Sequence, residues 1–483
     1  MNQRTLQRRA AAIAALAISA AAVAMTANAN AAVEDLGFTP ITTNALPCSA
    51  SGYIQFAANS KGVALTPKVL MQAGDAATPL NAPATSTAVG RVNDMIAISP
   101  DGKYLFTSSE NSVPTENGIG TAGSDGITRL TLKGPGAGTK VILADNVDAA
   151  GNNLWQRVDG MKWYPYGGPE REGVLLASEE FNAGGVWQVN PKTGAFARLD
   201  WLGNYAHEGI GLDSAGNLYL GDENRGGAIY KAVPNNKADL TEGGSLYYMV
   251  GTDVDASGWK LLPTPATAIP DASLGGAILF DRPEDFDERN GRVYFTVTEP
   301  AGDANPRSGK VGQVVNRGGV YSFNTVGVPD LAVQSGTLPY ARLTPMIEVN
   351  DPTYATQADA QAQQGLQFPD NIAFDEEGNL WVHEDIPDNN GAFPANGIDV
   401  SKQARNQQDE LYVYKLNLKG DAIRPNKDTT GPGISGGYKA ADMRTSPGAK
   451  SCENEFTGGI FRGKTLYINQ QHWDNPTLTV TFG

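Results

Sequence analysis

Six stretches of the chain repeat one pattern, in which two apolar strands joined by a Gly-centred turn are flanked by carboxylates and amides. The stretches are 93–111, 159–180, 207–224, 282–299, 369–385 and 453–472. A hairpin unit repeated in this way is typical of the blades of a β-propeller, where each unit buries its faces against its neighbours. The pattern therefore predicts an all-β fold, a six-bladed β-propeller.

The last repeat leaves too little chain to complete its own blade. After its hairpin only residues 477–482 remain, which gives the sixth blade a third strand but no fourth. The apolar segment 53–58 can supply it, so we expect an N-terminal strand to close the last blade. The segments 234–276, 350–366 and 386–408 are predicted as long loop insertions, either lids over one mouth of the channel or surface decoration.

The first residues are typical of an export signal. Three arginines, Arg4, Arg8 and Arg9, precede an apolar run over 10–25, and small residues follow at 29–31. We predict a signal peptide over 1–31, export by the Sec or twin-arginine route to the periplasm or the exterior, and a single β-propeller domain over 32–483. No other stretch is long and apolar enough to cross a bilayer.

The chain has two cysteines, Cys48 and Cys452. Each stands just before one of the strands that are predicted to meet where the ring closes. Paired cysteines in exported proteins commonly form disulfides, so a Cys48–Cys452 disulfide at the closure is predicted. Two unrelated free thiols are the alternative.

The charge of the chain bears on its partners. The formal net charge is −15, and nucleic acids select clusters of Lys and Arg that this chain lacks. We therefore expect no nucleic-acid partner, although an acidic chain can bind a phosphate group where cations intervene. The sequence leaves the oligomeric state open.

Acidic residues recur at both ends of the repeated hairpins. Three pairs share a spacing of fifteen positions: Glu208 with Glu223, Glu284 with Glu299, and Asp370 with Asp385. Hairpin ends converge on one mouth of a propeller, and carboxylates that gather there are costly to desolvate without positive charge. Such a ring of oxygen ligands suits Ca²⁺ above all. Acids within the turns (Asp101, Asp213, Asp375 and Glu376) are expected to cap those turns instead.

Five blocks along the chain carry a resemblance to a known family. They are 173–181, 207–208 with 218–223, 282–284 with 293–298, 369–370 with 380–382, and 457–458 with 466–472. In this order they resemble the PhoX alkaline phosphatases, exported propeller enzymes that hydrolyse phosphate monoesters with iron and calcium. The resemblance implies the same activity on a small phosphate ester here.

The resemblance also implies roles for individual residues. It makes Glu208 and Glu284 metal ligands and has Arg282 hold the substrate phosphate, as a planar guanidinium suits phosphate oxygens. An ion pair with a neighbouring acid is the alternative for Arg282. His472 is a candidate to assist the leaving group, with a core role as its alternative. Further metal ligands are expected among five acids: Glu179, Glu180, Asp370, Asp385 and Glu455.

One position departs from the family pattern. Ser178 stands where the family has an iron-binding cysteine, and a hydroxyl is a far poorer ligand for ferric iron than a thiolate. Three outcomes remain open: the centre keeps iron with oxygen ligands, it keeps calcium alone, or the scaffold serves another purpose.

Two other functions fit the same pattern. A calcium-dependent lactonase or esterase uses a similar ring of acids and amides, and a non-enzymatic propeller can use calcium only to stabilise itself while it binds a ligand or protein. Fold alone does not choose between these functions. Arg282 favours the phosphatase because a dianionic phosphate needs it and a lactone does not.

Overall fold

The computed structural model describes residues 38–39, 53–59, 61–80, 87–90, 92–110, 125–145, 155–168, 172–251, 257–263, 276–298, 312–315, 319–325, 344–348, 369–384, 410–414, 438–444, 455–471 and 476–482. The predicted signal peptide, both cysteines and the insertions 350–366 and 386–408 lie outside these residues. No described helix is long and apolar enough to span a membrane.

The chain forms an all-β, six-bladed propeller, as predicted. Five short strands come first: β1 (Phe38–Thr39), β2 (Tyr53–Phe56), β3 (Ala58–Asn59), β4 (Lys68–Met71) and β5 (Thr78–Pro79). Blade 1 follows with β6 (Asn93–Ile98), β7 (Tyr104–Ser109), β8 (Asp125–Thr131) and β9 (Lys140–Asp145). Blade 2 contains β10 (Val158–Tyr164), β11 (Val174–Glu179), β12 (Val186–Val189) and β13 (Phe196–Arg198).

Blade 3 is the largest sheet. It contains β14 (His207–Leu212), β15 (Leu218–Asp222), β16 (Arg225–Pro234), β17 (Gly244–Gly251), β18 (Ser257–Leu261) and β19 (Ala277–Asp281). Blade 4 begins with β20 (Pro283–Arg289) and β21 (Arg292–Val297). The next strand, β22 (Gly312–Val315), returns to pair with β19, and blade 4 is completed by β23 (Gly319–Asn324) and β24 (Thr344–Glu348).

The last two blades complete the ring. Blade 5 contains β25 (Pro369–Phe374), β26 (Leu380–Glu384), β27 (Glu410–Tyr414) and β28 (Tyr438–Arg444), and blade 6 contains β29 (Glu455–Arg462), β30 (Thr465–Gln471) and β31 (Thr477–Thr481). Two 3₁₀ turns, Asp200–Leu202 and Leu240–Glu242, are the helical segments within the described ranges.

An N-terminal strand does close blade 6, but it is not the expected segment. Strand β4 pairs with β31, whereas β2, which covers most of the segment 53–58, pairs with β28 at the edge of blade 5. Strand β5 then pairs with β9 of blade 1. The N-terminal segment therefore pairs with the outer edges of blades 5, 6 and 1 in turn, because the chain must pass blade 6 before it can begin blade 1.

The insertion 234–276 is not a loop in its first half, where the prediction was wrong. Strands β17 and β18 form a hairpin that extends the sheet of blade 3. Alternation explains this: Leu246 and Tyr248 pack on one side among residues of blades 2 and 3, while Tyr247 and Met249 pack on the other side with blade 4. Because both faces are buried, this segment is stable as strand.

Apolar packing between neighbouring blades holds the ring. Each of the six blade interfaces carries its own cluster of buried residues. At the interface of blades 3 and 4, for example, Phe286 and Phe295 stack with ring centroids 5.4 Å apart beside Tyr219. Burial of a Phe side chain stabilises a fold by about 1.5–3 kcal/mol.

A bulge interrupts the innermost strand of every blade near its start. The pairing register shifts within 93–96, 158–161, 207–210, 283–286, 369–372 and 457–460. A bulge adds residues that do not pair across the ladder and re-aims their side chains. This repeated irregularity determines where the acidic residues lie.

Candidate metal centre

Five blades place a carboxylate within the bulge. These residues are Asp94, Asp159, Glu208, Glu284 and Asp370, and all are buried. The sixth blade has Gly458 at the equivalent position, with φ of 61°. A Cβ on Gly458 would lie 2.5 Å from the backbone oxygen of Asp94, so the closure between blades 6 and 1 leaves no room for a side chain.

A second set of side chains follows the second strand of each hairpin. In blades 1 to 4 these residues are Glu110, Glu180, Glu223 and Thr298, and each backbone N–H donates to the residue just before the inner strand. In blade 4 the hydroxyl of Thr298 donates to Glu284 Oε1 at 2.6 Å, and Thr298 occupies the position that Glu110, Glu180 and Glu223 occupy in blades 1 to 3. Both Glu299 and Asp385 lie outside the described residues.

The two sets approach closely enough to hold metal ions. Ligand atoms lie within 4.8 Å of one another in three groups: Asp94 with Glu110 and Asp159, Asp159 with Glu180 and Glu208, and Glu208 with Glu284 and Asp370. Asp159 and Glu208 each belong to two groups. In addition, Asp159 Oδ1 is buried without a hydrogen-bond partner among the described residues. A buried, unpaired carboxylate oxygen among other acids is the arrangement that a cation stabilises.

The electrostatics of the protein alone leave these acids short of positive charge. Burial raises the pKa of Asp94 and of Glu208 well above the usual range, and in both cases the carboxylate of Asp159 raises it further. Burial also raises the pKa of Glu284, although Arg282 opposes the shift. A bound cation would favour the ionised forms and displace protons.

Two arginines face the second set of acids. The Arg282 Nε–H donates to Glu223 Oε1 at 2.7 Å and lies 3.1 Å from Glu284 Oε1. Burial disfavours the Glu223 carboxylate, but Arg282 holds its pKa below the usual value. Arg157, which the sequence did not single out, donates to Glu110 Oε2 at 3.1 Å and also contacts Glu180.

The sixth blade contributes neutral donors instead of an acid. Gln471 Nε2 donates to Asp94 Oδ2 at 2.7 Å and also reaches Glu110, and the hydroxyl of Thr457 contacts the other oxygen of Asp94. Glu455, an expected ligand, is buried opposite Gln471 in the hairpin but belongs to none of the three acidic groups. We therefore do not expect Glu455 to bind metal.

Ser178 occupies a position that recurs around the ring. Its hydroxyl donates to the backbone oxygen of Glu208 in the next blade at 2.6 Å, and Ser108 donates in the same way to Asp159 O at 2.5 Å. Thr296 contacts Asp370 O likewise. The Ser178 hydroxyl therefore fixes the bulge of the neighbouring blade.

Glu179 is separated from the groups of acids by its own partners. One of its oxygens accepts from Gln156 N at 2.8 Å, and the other accepts from Gly185 N at 3.0 Å and Trp187 Nε1 at 2.9 Å. A carboxylate that is fully satisfied by N–H donors has little left to offer a cation. Glu179 is likewise omitted from the proposed ligands.

The described histidines are neutral. His207 and His383 are fully buried, and this burial lowers the pKa of each to about 3. Neither can donate a proton as an imidazolium near neutral pH. His472, the predicted aid to the leaving group, lies outside the described residues.

The acids in the turns behave as structural residues, as expected. Asp101 accepts from Lys103 N, Asp213 from Asn217 N, and Asp375 from Asn379 N, each at 2.8–2.9 Å within its own turn. Glu376 differs, because its carboxylate accepts from Gly463 N in the turn of the next blade.

Together, the fold and the site define a closed propeller with a ring of buried carboxylates and two arginines at one end. The profile of the family described as "Alkaline phosphatase PhoX" matches residues 164–474, well over half of the chain. The chain belongs to this family of phosphatases.

The chain was also compared with solved structures. The chain is similar to Pseudomonas fluorescens PhoX in complex with vanadate, a transition-state analogue, with 16% identity over 92% of this chain and 98% of that chain and a TM-score of 0.54. A gluconolactonase from Xanthomonas campestris is more distant, with 11% identity over 92% of this chain and 99% of that one and a TM-score of 0.43. No curated protein matches the chain.

Proposed function

We propose that this protein is an exported phosphatase that hydrolyses phosphate monoesters at a calcium centre on the propeller axis. The observation that carries the proposal is the position of Arg282, held by Glu223 and Glu284 at the edge of the acidic groups. A lactone offers this guanidinium no anionic partner, whereas a phosphate monoester carries two negative charges. The arginine therefore favours the phosphatase over the lactonase.

The proposed ligands are the bulge acids Asp94, Asp159, Glu208, Glu284 and Asp370 together with Glu110 and Glu180, and Asp385 remains a further candidate. All of their donor atoms are carboxylate oxygens, which suits Ca²⁺ better than a transition metal. Bound calcium would neutralise phosphate oxygens and stabilise the charge that builds on them. Asp159 Oδ1, which has no hydrogen-bond partner within the described part of the chain, supports such a site.

The residues around Arg282 prepare it for this role. Glu223 fixes the Nε edge of the guanidinium, and Thr298 orients Glu284 by donating to the same oxygen that lies 3.1 Å from Arg282. The side chain of Arg282 remains 23% exposed, so a substrate can reach it. A guanidinium held in place before the substrate arrives loses little freedom when it binds the phosphate.

At this site we expect calcium to be favoured over iron. The Ser178 hydroxyl donates to a backbone oxygen and is not the thiolate that ferric iron prefers. We expect little iron in the wild-type protein and more in Ser178→Cys, as measured by elemental analysis of protein expressed with both metals. Equal iron in both proteins would contradict a role for this position in metal choice.

The test of the function compares Arg282→Ala with wild type on a nitrophenyl phosphate, with calcium present. We expect kcat/KM to fall on the order of 10²-fold, because a charge-assisted donor to the phosphate is lost. Calcium content should be retained, because the substitution removes positive charge beside the acids. The control is Arg292→Ala, at the hairpin turn of blade 4, at the opposite end from the bulge, where the guanidinium contacts Asn324 and Ser322.

Glu284→Gln separates metal binding from substrate binding. It removes a proposed ligand, so calcium content and turnover should fall together. The phosphatase proposal fails if calcium-loaded wild type hydrolyses no phosphate monoester, or if Arg282→Ala matches Arg292→Ala in turnover. Hydrolysis of a lactone by the same preparation would favour the lactonase.

A further inference from the structure

Arg157 and Arg282 occupy the same position in two blades. Each stands immediately before a bulged inner strand, β10 in blade 2 and β20 in blade 4. Both adopt positive φ, 46° and 56°, which is uncommon for residues other than glycine. Val92 shares this backbone conformation before β6 of blade 1, with φ of 54°. The conformation therefore recurs at the entry of the bulge in blades 1, 2 and 4, and the guanidinium is what distinguishes blades 2 and 4 from blade 1.

The two arginines are also held in the same way. Each donates to the acid that ends the second strand of the preceding blade, Arg157 to Glu110 and Arg282 to Glu223. Each also contacts an acid of its own blade, Glu180 for Arg157 and Glu284 for Arg282. The two sets of contacts are joined, since the side chains of Glu180 and Glu223 are hydrogen-bonded to each other. Both guanidiniums thus border one continuous row of acids.

Exposure distinguishes the arginines from the acids beside them. The side chains of Arg157 and Arg282 are 36% and 23% exposed, against 11% for Glu110 and Glu180 and 12% for Glu223. An anion that approaches this row therefore meets two guanidinium groups before it meets the carboxylates. An arginine stays protonated in proteins, so the charge of Arg157 is permanent.

We propose that Arg157 is a second anion-binding residue, which with Arg282 selects dianionic phosphate monoesters over monoanionic phosphate diesters. This inference rests on the proposed phosphatase function. Two planar guanidiniums can together bind more oxygens of one phosphate group than either can alone. A diester offers one negative charge fewer and replaces one of those oxygens by an esterified one. Arg157 therefore stabilises a bound monoester more than a bound diester, and this difference is the basis of the selectivity.

The test compares Arg157→Ala and Arg157→Lys with wild type, all loaded with calcium. The substrates are nitrophenyl phosphate and bis(nitrophenyl) phosphate, and inorganic phosphate is the inhibitor. For Arg157→Ala we expect kcat/KM on the monoester to fall by about 10- to 100-fold, with at most about a threefold change on the diester. The inhibition constant of phosphate should rise about tenfold. Arg157→Lys retains the charge and should recover part of each effect.

The control is Arg129→Ala, in blade 1, where the guanidinium donates to Pro191 O and is remote from the acids. It should leave the ratio of the two activities unchanged. The inference is overturned if Arg157→Ala lowers both activities equally, or if the inhibition constant of phosphate does not change. If Arg157→Ala does not fold, Arg157→Lys provides the test. A wild-type ratio of monoester to diester activity, together with a wild-type inhibition constant of phosphate, would then overturn the inference. Failure of the phosphatase function itself would show as absent turnover in wild type.

Discussion

The ammonium of Lys162 lies 2.7 Å from Asp287 Oδ1 and joins the inner strands of blades 2 and 4 past blade 3. Lys162 stands three positions after Asp159, and Asp287 stands three positions after Glu284. The pair therefore lies further along the inner strands than the acidic groups. The equivalent residues in blades 1, 3 and 5 are Ala97, Gly211 and Ala373, none of which carries a charge. The pair therefore ties two blades that share no interface.

We expect Asp287→Asn to lower the free energy of unfolding by about 2 kcal/mol at pH 7, because it removes a charge-assisted hydrogen bond and leaves the half-buried Lys162 less well paired. Burial disfavours the ammonium, but Asp287 and Asp285 raise the pKa of Lys162 above 10.5. A raised pKa stabilises the fold fully below 10.5, and this stabilisation is lost as the pH rises through the folded value. The loss caused by Asp287→Asn should therefore be constant from pH 7 to 9 and shrink above 10.5.

Urea unfolding across this pH range measures the effect. The control is Glu172→Gln, since the Glu172–Lys192 pair is largely exposed and such pairs contribute about 0–1 kcal/mol. A loss in Asp287→Asn as small as that of the control, or one independent of pH up to 11, would show that the pair does not join the blades.

Calcium should reverse the effect of a substitution at Asp159. Without calcium, Asp159→Asn removes a buried carboxyl group that burial and Glu110 destabilise, so it should be neutral or stabilising. With calcium, it removes an oxygen that two groups share, so it should reduce the stabilisation that the ion gives. Saturation at a hundred times the dissociation constant adds about 2.7 kcal/mol to the wild type.

Thermal melts with Ca²⁺ and with chelator measure this reversal. Asp213→Asn is the matched control, because Asp213 is a buried acid that accepts from Asn217 and Tyr219 within one blade. It should lower the melting temperature equally in both conditions. A wild-type melting temperature that calcium and chelator leave unchanged would refute a calcium site in these groups.

The sequence predicted the blades well because each hairpin is a local unit. Apolar alternation and a Gly-centred turn lie within about twenty residues, and the acids flank them directly. The length of each turn is less visible from the sequence: the turn of blade 4 lies between Arg289 and Arg292, whereas that of blade 3 runs from Leu212 to Leu218. The hairpin of blade 4 is therefore one residue shorter, and Thr298 is the residue that follows its second strand.

Contacts distant in sequence were the least predictable. The choice between β2 and β4 as closing strand depends on how the N-terminal segment passes three blade edges. The donors Gln471 and Thr457 reach Asp94 only because the ring closes. One signal could have found Arg157, because it precedes Asp159 by two residues as Arg282 precedes Glu284.

The disulfide remains a prediction on residues outside the described part of the chain. Peptide mapping of the exported protein without reducing agent should recover Cys48 linked to Cys452. Such a long closed loop would stabilise the ring by about 5 kcal/mol in the chain-entropy model, so reduction should lower the melting temperature markedly. Recovery of both residues as free thiols would exclude the closure bond.

Ser178 is predicted to position a strand and not to bind metal. Ser178→Ala removes the bond to Glu208 O and should lower the free energy of unfolding by about 1 kcal/mol. Ser108→Ala is a closely matched control, because Ser108 is buried at the same position of blade 1 and donates to Asp159 O. Both variants should lose similar stability and keep the calcium-dependent rise in melting temperature. If Ser178→Ala alone loses bound metal, while Ser108→Ala keeps it, then the hydroxyl is a ligand and the position retains the metal-binding role of the family's cysteine.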